Sequence, residues 1–381
     1  MAARRRILYL SGTRADFGLM RRTLLAIADH PDLAVQVAAC GMHLEPAFGH
    51  TVEDIEAAGL PVVARIRSDV AARDRAGMAR AVGQTLLGLS AHLAEDRPDL
   101  LLLLGDRGEM LAGATAALHL GIPSVHVHGG ERSGTVDEAL RHAISKMATW
   151  HFPATEQSRE RLIAMGEDPW RVFVVGAPGL DDLPASFAAG RDEVARQLGI
   201  GAGRPWALVL FHPVVQQAEQ AGAQTAALLQ GLRDAGAGRD FDVLWLAPNA
   251  DAGSAAVLRQ LDALPGGWQL RAHLPRDLYL QALRHALVLV GNSSSGIIEA
   301  ASFGTPVVNV GQRQQLRERN PGTLDVDAHA QSIAAALRSA CGQPRAAAHN
   351  VYGDGRSAAR IAARLAALPL DDAVLLKANR Y

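Results

Sequence analysis

Leu287-Val288-Leu289-Val290-Gly291-Asn292-Ser293-Ser294-Ser295-Gly296-Ile297-Ile298-Glu299 decides how this chain folds. The apolar run Leu287–Val290 has no polar alternation, so it reads as a strand covered on both faces. Gly291 to Gly296 is a polar turn of small residues, and a helical pattern follows over Ile297–Phe303. Strand, tight turn and helix in that order make half of a βαβ unit, the building block of parallel sheets.

The same alternation recurs outward from that segment in both directions. Further strand-like runs are Ile7–Leu10, Ala34–Ala39, Val62–Ile66, Leu100–Leu104, Ser124–Val127 and Val172–Val175, then Ala207–Phe211, Val243–Ala247, Trp268–Ala272 and Val307–Val310. Helical stretches separate them, among them Leu19–Asp29, Ala76–Glu95, Met110–Leu118, Val136–Thr149 and Gln216–Ala235. With 381 residues, 49% of them hydrophobic, the chain exceeds one ordinary core. The reading is an α/β protein of two Rossmann-like domains with a central cleft. The division is expected in the Pro/Gly-rich stretch Gly176–Ser186, giving domains 1–178 and 179–356, with a C-terminal helix 357–381 rejoining the first. Pro369 is a stop signal for the helical pattern Ser357–Leu368.

Composition excludes several functions. There are 38 basic and 39 acidic residues and a net charge of −1, which argues against nucleic-acid binding. No apolar run reaches the ~18 residues that span a bilayer. Arg4-Arg5-Arg6 precedes too short an apolar run for a secretory leader, which needs roughly 7–15 apolar residues. Cys40 and Cys341 fit no metal spacing and read as reduced thiols of a cytoplasmic protein.

Ligands of parallel α/β sheets bind beyond the carboxyl ends of the strands, and there the polar motifs fall. The first strand ends Ser11-Gly12-Thr13-Arg14-Ala15-Asp16; Arg14 suits a phosphate, or is an exposed arginine on a capped helix. The fourth ends Gly105-Asp106-Arg107, where Asp106 is a catalytic carboxylate or only a helix N-cap. The next ends His126-Val127-His128-Gly129-Gly130-Glu131, and alternation puts His126 and His128 on one face. These groups suit proton transfer; a metal would need a fourth ligand, and none is apparent, so no metal or other cofactor is assigned. Thr135-Val136-Asp137-Glu138 has the form of a capping box, and Asp137 and Arg141 are spaced for an ordinary helical ion pair, with His142 beside them. In the second half, Phe211-His212-Pro213, Asn249, and Ser293-Ser294 with Glu299 end strands, and Arg313, Arg317 and Arg319 follow the last. Hydroxyls and free N–H groups at Ser293-Ser294 suit an anion, and Glu299 a ribose.

In this order the motifs resemble the UDP-N-acetylglucosamine 2-epimerases, specifically the hydrolysing branch of sialic-acid and legionaminic-acid biosynthesis. The match runs from Gly12-Thr13-Arg14-Ala15-Asp16 to Tyr352-Gly353-Asp354-Gly355, through Gly41-Met42-His43-Leu44, Gly105-Asp106-Arg107, His212-Pro213, Gly291-Asn292-Ser293-Ser294 and Gly304-Thr305-Pro306. The resemblance implies glycosyltransferase-B architecture. It implies conversion of UDP-N-acetylglucosamine and water to N-acetylmannosamine and UDP, by anti-elimination to a 2-acetamidoglucal and then hydration. It makes Asp106 and Asp137 catalytic and sets Arg141 and His142 by the sugar. Arg14, Asp16, Arg107, His212, Asn249, Ser293, Ser294, Glu299 and Arg313 become substrate and nucleotide contacts. It also implies a homodimer or homotetramer.

One position departs from the resemblance. Well-studied relatives carry a glutamate, assigned as catalytic, where this chain has His128, with Glu131 three residues on. The acid/base role then falls to His128 or to Glu131. The departure is compatible with another UDP- or GDP-linked sugar, such as UDP-N,N'-diacetylbacillosamine. The alternatives are a non-hydrolysing epimerase that keeps the nucleotide on its product, a glycosyltransferase of the same architecture, or a catalytically silent nucleotide-sugar binder.

Overall fold

A computed structural model describes residues 4–72, 74–181, 183, 189–201, 203–345 and 350–380. Pro184 and Ser186 of the expected boundary, and Tyr381, lie outside the described residues. The strands form two six-stranded parallel sheets. The first contains β1 (Arg5–Ser11), β2 (Leu33–Cys40), β3 (Val62–Ile66), β4 (Leu100–Leu104), β5 (Ser124–Val127) and β6 (Trp150–Phe152), in the order β3-β2-β1-β4-β5-β6. The second contains β7 (Trp206–Leu210), β8 (Asp242–Leu246), β9 (Trp268–Arg271), β10 (Val288–Gly291), β11 (Val307–Val310) and β12 (Thr323–Val326), in the order β12-β11-β10-β7-β8-β9. Both orders reverse at the first strand, between β1 and β4 and between β7 and β10. That reversal opens a crevice beyond the carboxyl ends, the usual ligand position.

Continuous apolar strands are what such sheets need. All five leucines of Leu100–Leu104 are buried, and helices cover both faces of each sheet. Helix Ser357–Ala367 places Ile361 and Leu365 in the core built on β1 and β4. It is shorter than expected: it ends before Pro369, and the chain continues into a 3-10 turn at Asp372–Leu375. No described helix is long and apolar enough to cross a membrane.

Two expected elements differ, and two strands fall where none was expected. Val172–Val175 is not a strand. It makes one bridge to His151, with N–H bonds from Phe173 to the His151 carbonyl (2.9 Å) and from Val175 to the Pro153 carbonyl (3.1 Å). Pro153 has no N–H to return, so the ladder cannot propagate. The sixth strand is instead Trp150–Phe152, three residues that do not stand out as a run. At the other edge, β12 was hidden by its polar, half-exposed pattern. The expected helix Gln216–Ala235 is broken at Gln217: a 3-10 segment, Val215–Gln220, leads into a helix over Ala221–Asp234.

Gly291 shows how closely β10 meets its neighbour. Its φ is +132°, and a Cβ there would lie 2.0 Å from the Leu210 carbonyl oxygen. Gly291→Ala is therefore expected to cost about 2 kcal/mol or more, read as a lower midpoint in urea unfolding.

Candidate functional site

The first half contributes three strand-end loops and the helix that follows the third. After β1, Thr13 caps helix Arg14–Ala28 in a capping box with Asp16. The Asp16 carboxylate accepts from the N–H groups of Gly12 (3.0 Å) and Thr13 (2.6 Å), and from Thr13 Oγ1 (3.0 Å) and Tyr9 OH (3.2 Å). So Asp16 is buried and occupied in shaping the loop, rather than presented to a ligand. Arg14, the first helical residue, reaches the facing half: Nη2 donates to the Leu274 carbonyl at 2.9 Å. Its buried Nη1 has no hydrogen-bond partner.

After β4, Gly105 adopts φ +80° and its N–H bonds the Val127 carbonyl at 2.9 Å. Asp106 is not the N-cap; Arg107 holds that position. The Asp106 carboxylate instead accepts from Arg141 and lies 3.9 Å from Arg317 of the facing half. Arg107 sits between Glu109 (3.3 Å) and Asp251 (3.5 Å), again spanning both halves. Those carboxylates raise its already high pKa.

After β5 the two histidines part. The strand ends at Val127, and His128 takes φ +63°, so alternation no longer relates them. His126 is fully buried between Ser145 Oγ (3.0 Å) and the Gly105 carbonyl (2.7 Å), and burial pushes it down to about 3. It is a neutral brace for the Gly105 turn. His128 Nδ1 lies 2.5 Å from Glu131, whose other oxygen meets Arg317 at 2.5 Å. Burial pushes the Glu131 carboxyl up, but Arg317 and His128 outweigh it and hold it at about 2. A non-glycine residue in the left-handed region is strained, and here the strain turns the imidazole toward that carboxylate.

Helix Val136–Met147 presents Asp137, Arg141 and His142. The expected capping box does not form. Thr135 is the N-cap without a side-chain bond, and Glu138 accepts instead from the N–H groups of Ser133 (2.6 Å) and Gly134 (2.5 Å). Nor do Asp137 and Arg141 pair. Arg141, 1% exposed, turns inward to Asp106 and the Glu131 carbonyl (3.0 Å). Asp137 faces Arg313 of the other half at 3.8 Å. His142 lies 3.7 Å from Glu138, its pKa lowered by burial and then by Arg141.

In the second half, His212 is pinned by Asn292. Its N–H donates to Asn292 Oδ1 (2.8 Å), and Asn292 Nδ2 donates to its carbonyl (2.8 Å). Its Nδ1 accepts from the Asn249 N–H at 3.2 Å, which places the remaining ring proton on Nε2. Burial, then Arg313, push its pKa down to about 3. It is thus an uncharged donor near neutral pH. Arg313 donates to the Asn292 carbonyl at 3.2 Å. Ser293 caps the five-residue helix Ser294–Ile298, its Oγ accepting from the Ser295 N–H at 3.3 Å, and Ser294 is the first residue of that helix. Glu299, expected at a ribose, is paired here with Arg276 and accepts from Ser295 Oγ.

Carboxylates of one half thus meet arginines of the other: Asp137 with Arg313, Asp106 and Glu131 with Arg317, and in reverse Arg107 with Asp251. Arg317 is marked in the sequence, with Arg313 and Arg319, as positive charge for a diphosphate or a base contact after the last core strand. Asp251 and Arg276 were not among the sequence-assigned contacts and carry no local signal.

Residues 25–366 match the family model described as UDP-N-acetylglucosamine 2-epimerase. The chain belongs to that family. Among family members, it is 42% identical to the UDP-N,N'-diacetylbacillosamine 2-epimerase (hydrolyzing) of Legionella pneumophila, over 99% of this chain and 100% of that protein. It is 31% identical to a UDP-N-acetylglucosamine 2-epimerase of Neisseria meningitidis, over 92% of this chain and 91% of the relative. The crystal structure of a Neisseria meningitidis UDP-GlcNAc 2-epimerase bound to UDP-GlcNAc has a TM-score of 0.76 at 17% identity, covering 94% of this chain and 99% of that one. That likeness establishes the two-domain glycosyltransferase-B-like fold.

Proposed function

We propose that this family member is a hydrolysing 2-epimerase acting on a UDP-linked 2-acetamido sugar, with N,N'-diacetylbacillosamine ahead of N-acetylglucosamine as the sugar. The observation that carries the reading is the cluster at the crevice: Asp106, Glu131 and Asp137 each held near an arginine of the facing half. The 42% identity with a relative named for the diacetylated sugar supports that substrate order.

The reaction needs a proton moved at C2 and a leaving diphosphate stabilised. A base takes the C2 proton, the C2–H electron pair becomes the C1=C2 bond, and the C1–O pair leaves with UDP. Water then adds hydroxyl to C1 while C2 is protonated from the opposite face. Substrate and water become the C2-inverted sugar and UDP. Asp106 and Asp137 are the proposed acid/base carboxylates, with Arg141 and His142 beside the sugar. Arg14, Arg107, Arg313, Ser293, Ser294, Asn249 and neutral His212 hold the nucleotide and its diphosphate, and Glu299 takes the ribose once it exchanges Arg276 for hydroxyls. Because Glu131 engages His128 Nδ1, Nε2 is the ring nitrogen left for proton transfer. This shares the role of the family's missing glutamate between the two residues.

Purified protein is expected to release UDP and a free 2-epimerised sugar from UDP-N,N'-diacetylbacillosamine faster than from UDP-N-acetylglucosamine. In D2O the product should carry deuterium at C2 by NMR. A product that retains UDP would assign the non-hydrolysing reaction instead. Absence of turnover on either sugar, with UDP bound, would leave a silent binder.

Arg313→Ala should weaken UDP binding by roughly 10–100-fold, through loss of a charge-assisted contact. Ser294→Ala should weaken it less. Calorimetric titration with UDP measures both.

A further inference from the structure

Beyond helix Ser357–Ala367 the chain continues as a tail along the first half, and its Lys377 reaches the carboxyl end of helix Val136–Met147. Lys377 Nζ donates to the carbonyls of Ser145 (2.9 Å), Lys146 (3.0 Å) and Ala148 (2.8 Å). Its side chain is 14% exposed, and the Glu167 carboxylate faces it at 2.6 Å. The last carbonyls of a helix have no partner within it, and an ammonium placed there also meets the negative end of the helix dipole. The tail is fixed on both sides of this lysine. Val374 packs into the core of the first sheet, buried Arg171 donates to its carbonyl at 2.7 Å, and the Arg380 N–H donates to the Gly166 carbonyl at 3.0 Å.

From this capped helix end, contacts run to the proposed active site. The Oγ of Ser145 lies 3.0 Å from His126 Nδ1, and His126 Nε2 lies 2.7 Å from the Gly105 carbonyl. A carbonyl only accepts, so Nε2 carries the proton of the neutral ring and Nδ1 accepts from Ser145. A Cβ at Gly129 would come within 2.9 Å of both Ser145 Oγ and His126 Nδ1, so the turn that carries His128 rests on the same two groups. The series Lys377, Ser145, His126, Gly105 ends one residue before Asp106. At its other end the same helix opens on Val136 and Asp137, with Arg141 and His142 farther along it.

We propose that Lys377 is a positioning residue: the tail is a strap that fixes the helix bearing Asp137, Arg141 and His142 and, through Ser145 and His126, the turn bearing Asp106. A misplacement of about 1 Å at a reacting group can cost about 10²-fold in rate, so a strap remote from the crevice acts on turnover. That kinetic effect rests on the 2-epimerase reaction proposed above; the hold on the helix does not.

Lys377→Met keeps an unbranched side chain and removes its charge and its donors. Glu167 keeps Lys146 and His151, each at 2.8 Å, so the substitution strands no buried carboxylate. In the full chain kcat is expected to fall about tenfold, with the Kd for UDP within about twofold of wild type. Amide exchange read by mass spectrometry should quicken about tenfold over residues 142–149 and stay unchanged in the second sheet, which separates local loosening from general destabilisation. Ser145→Ala leaves the tail in place and cuts only the link to His126. It should lower kcat about threefold or more and quicken exchange over residues 105–108, and it carries the test if circular dichroism shows Lys377→Met unfolded. A folded variant with wild-type kcat, or with unchanged exchange over its stated residues, overturns the proposal. If wild type turns over no sugar, the proposed reaction fails, and exchange alone then decides the strap.

Discussion

Asp137→Asn is expected to lower kcat by about 10²–10⁴-fold while the Kd for UDP changes by less than about fivefold. The substitution keeps the side chain's shape and removes its basicity. The Asp137 side chain is 27% exposed and 3.8 Å from Arg313, a loose contact across the crevice. A residue serving only the helix would tolerate Asn with little effect on turnover, because Arg141, its expected helical partner, is bonded elsewhere. Steady-state kinetics with UDP calorimetry separates the outcomes, and full activity of the variant would return Asp137 to a structural role. Asp106→Asn should show the same kinetic loss with an added stability loss, since it removes the charge paired with buried Arg141.

Glu131→Gln is expected to cost activity and stability together. The Glu131 side chain is 3% exposed and lies between His128 and Arg317. Removing its charge leaves Arg317 short of a counter-ion and frees the His128 ring, so kcat should fall about 10²-fold or more. Breaking a buried pair typically costs about 3–5 kcal/mol. The sign with pH follows from the direction of the shift. The folded carboxyl is held at about 2, below its unfolded value, so its stabilisation is fully present above the unfolded pKa and fades as pH falls toward 2. Urea unfolding of wild type and Glu131→Gln should therefore differ most near neutral pH and converge near pH 2–3. A gap that stays constant with pH would show that the carboxylate is not held as described.

Much of the candidate site was legible because it obeys local rules. Asp106, His128, Asp137, His212, Ser293 and Arg313 all lie just beyond strands or at the opening of the next helix, where parallel sheets collect ligands. What spacing misassigned were pairings. Asp137 and Arg141 share a helical face, yet each has a better partner across the fold, Arg313 and Asp106. Glu138 looked like half of a capping box with Thr135, but two N–H groups of the preceding turn take its carboxylate. Asp16 matched a family motif, and its burial beneath five donors comes from how the loop closes on itself.

The sequence by itself determined the parallel α/β class, because continuous apolar runs such as Leu100–Leu104 and Leu287–Val290 are stable only when covered on both faces. It also marked the strand-end loops that make up the candidate site, since strand-end glycines and polar residues are local signals. Tertiary structure decided which charge meets which. Arg317 and Glu131 are 186 positions apart (317 − 131), and no periodicity links them; the docking of the two halves does. It likewise decided that His128, in a left-handed backbone conformation, pairs with Glu131 three residues away.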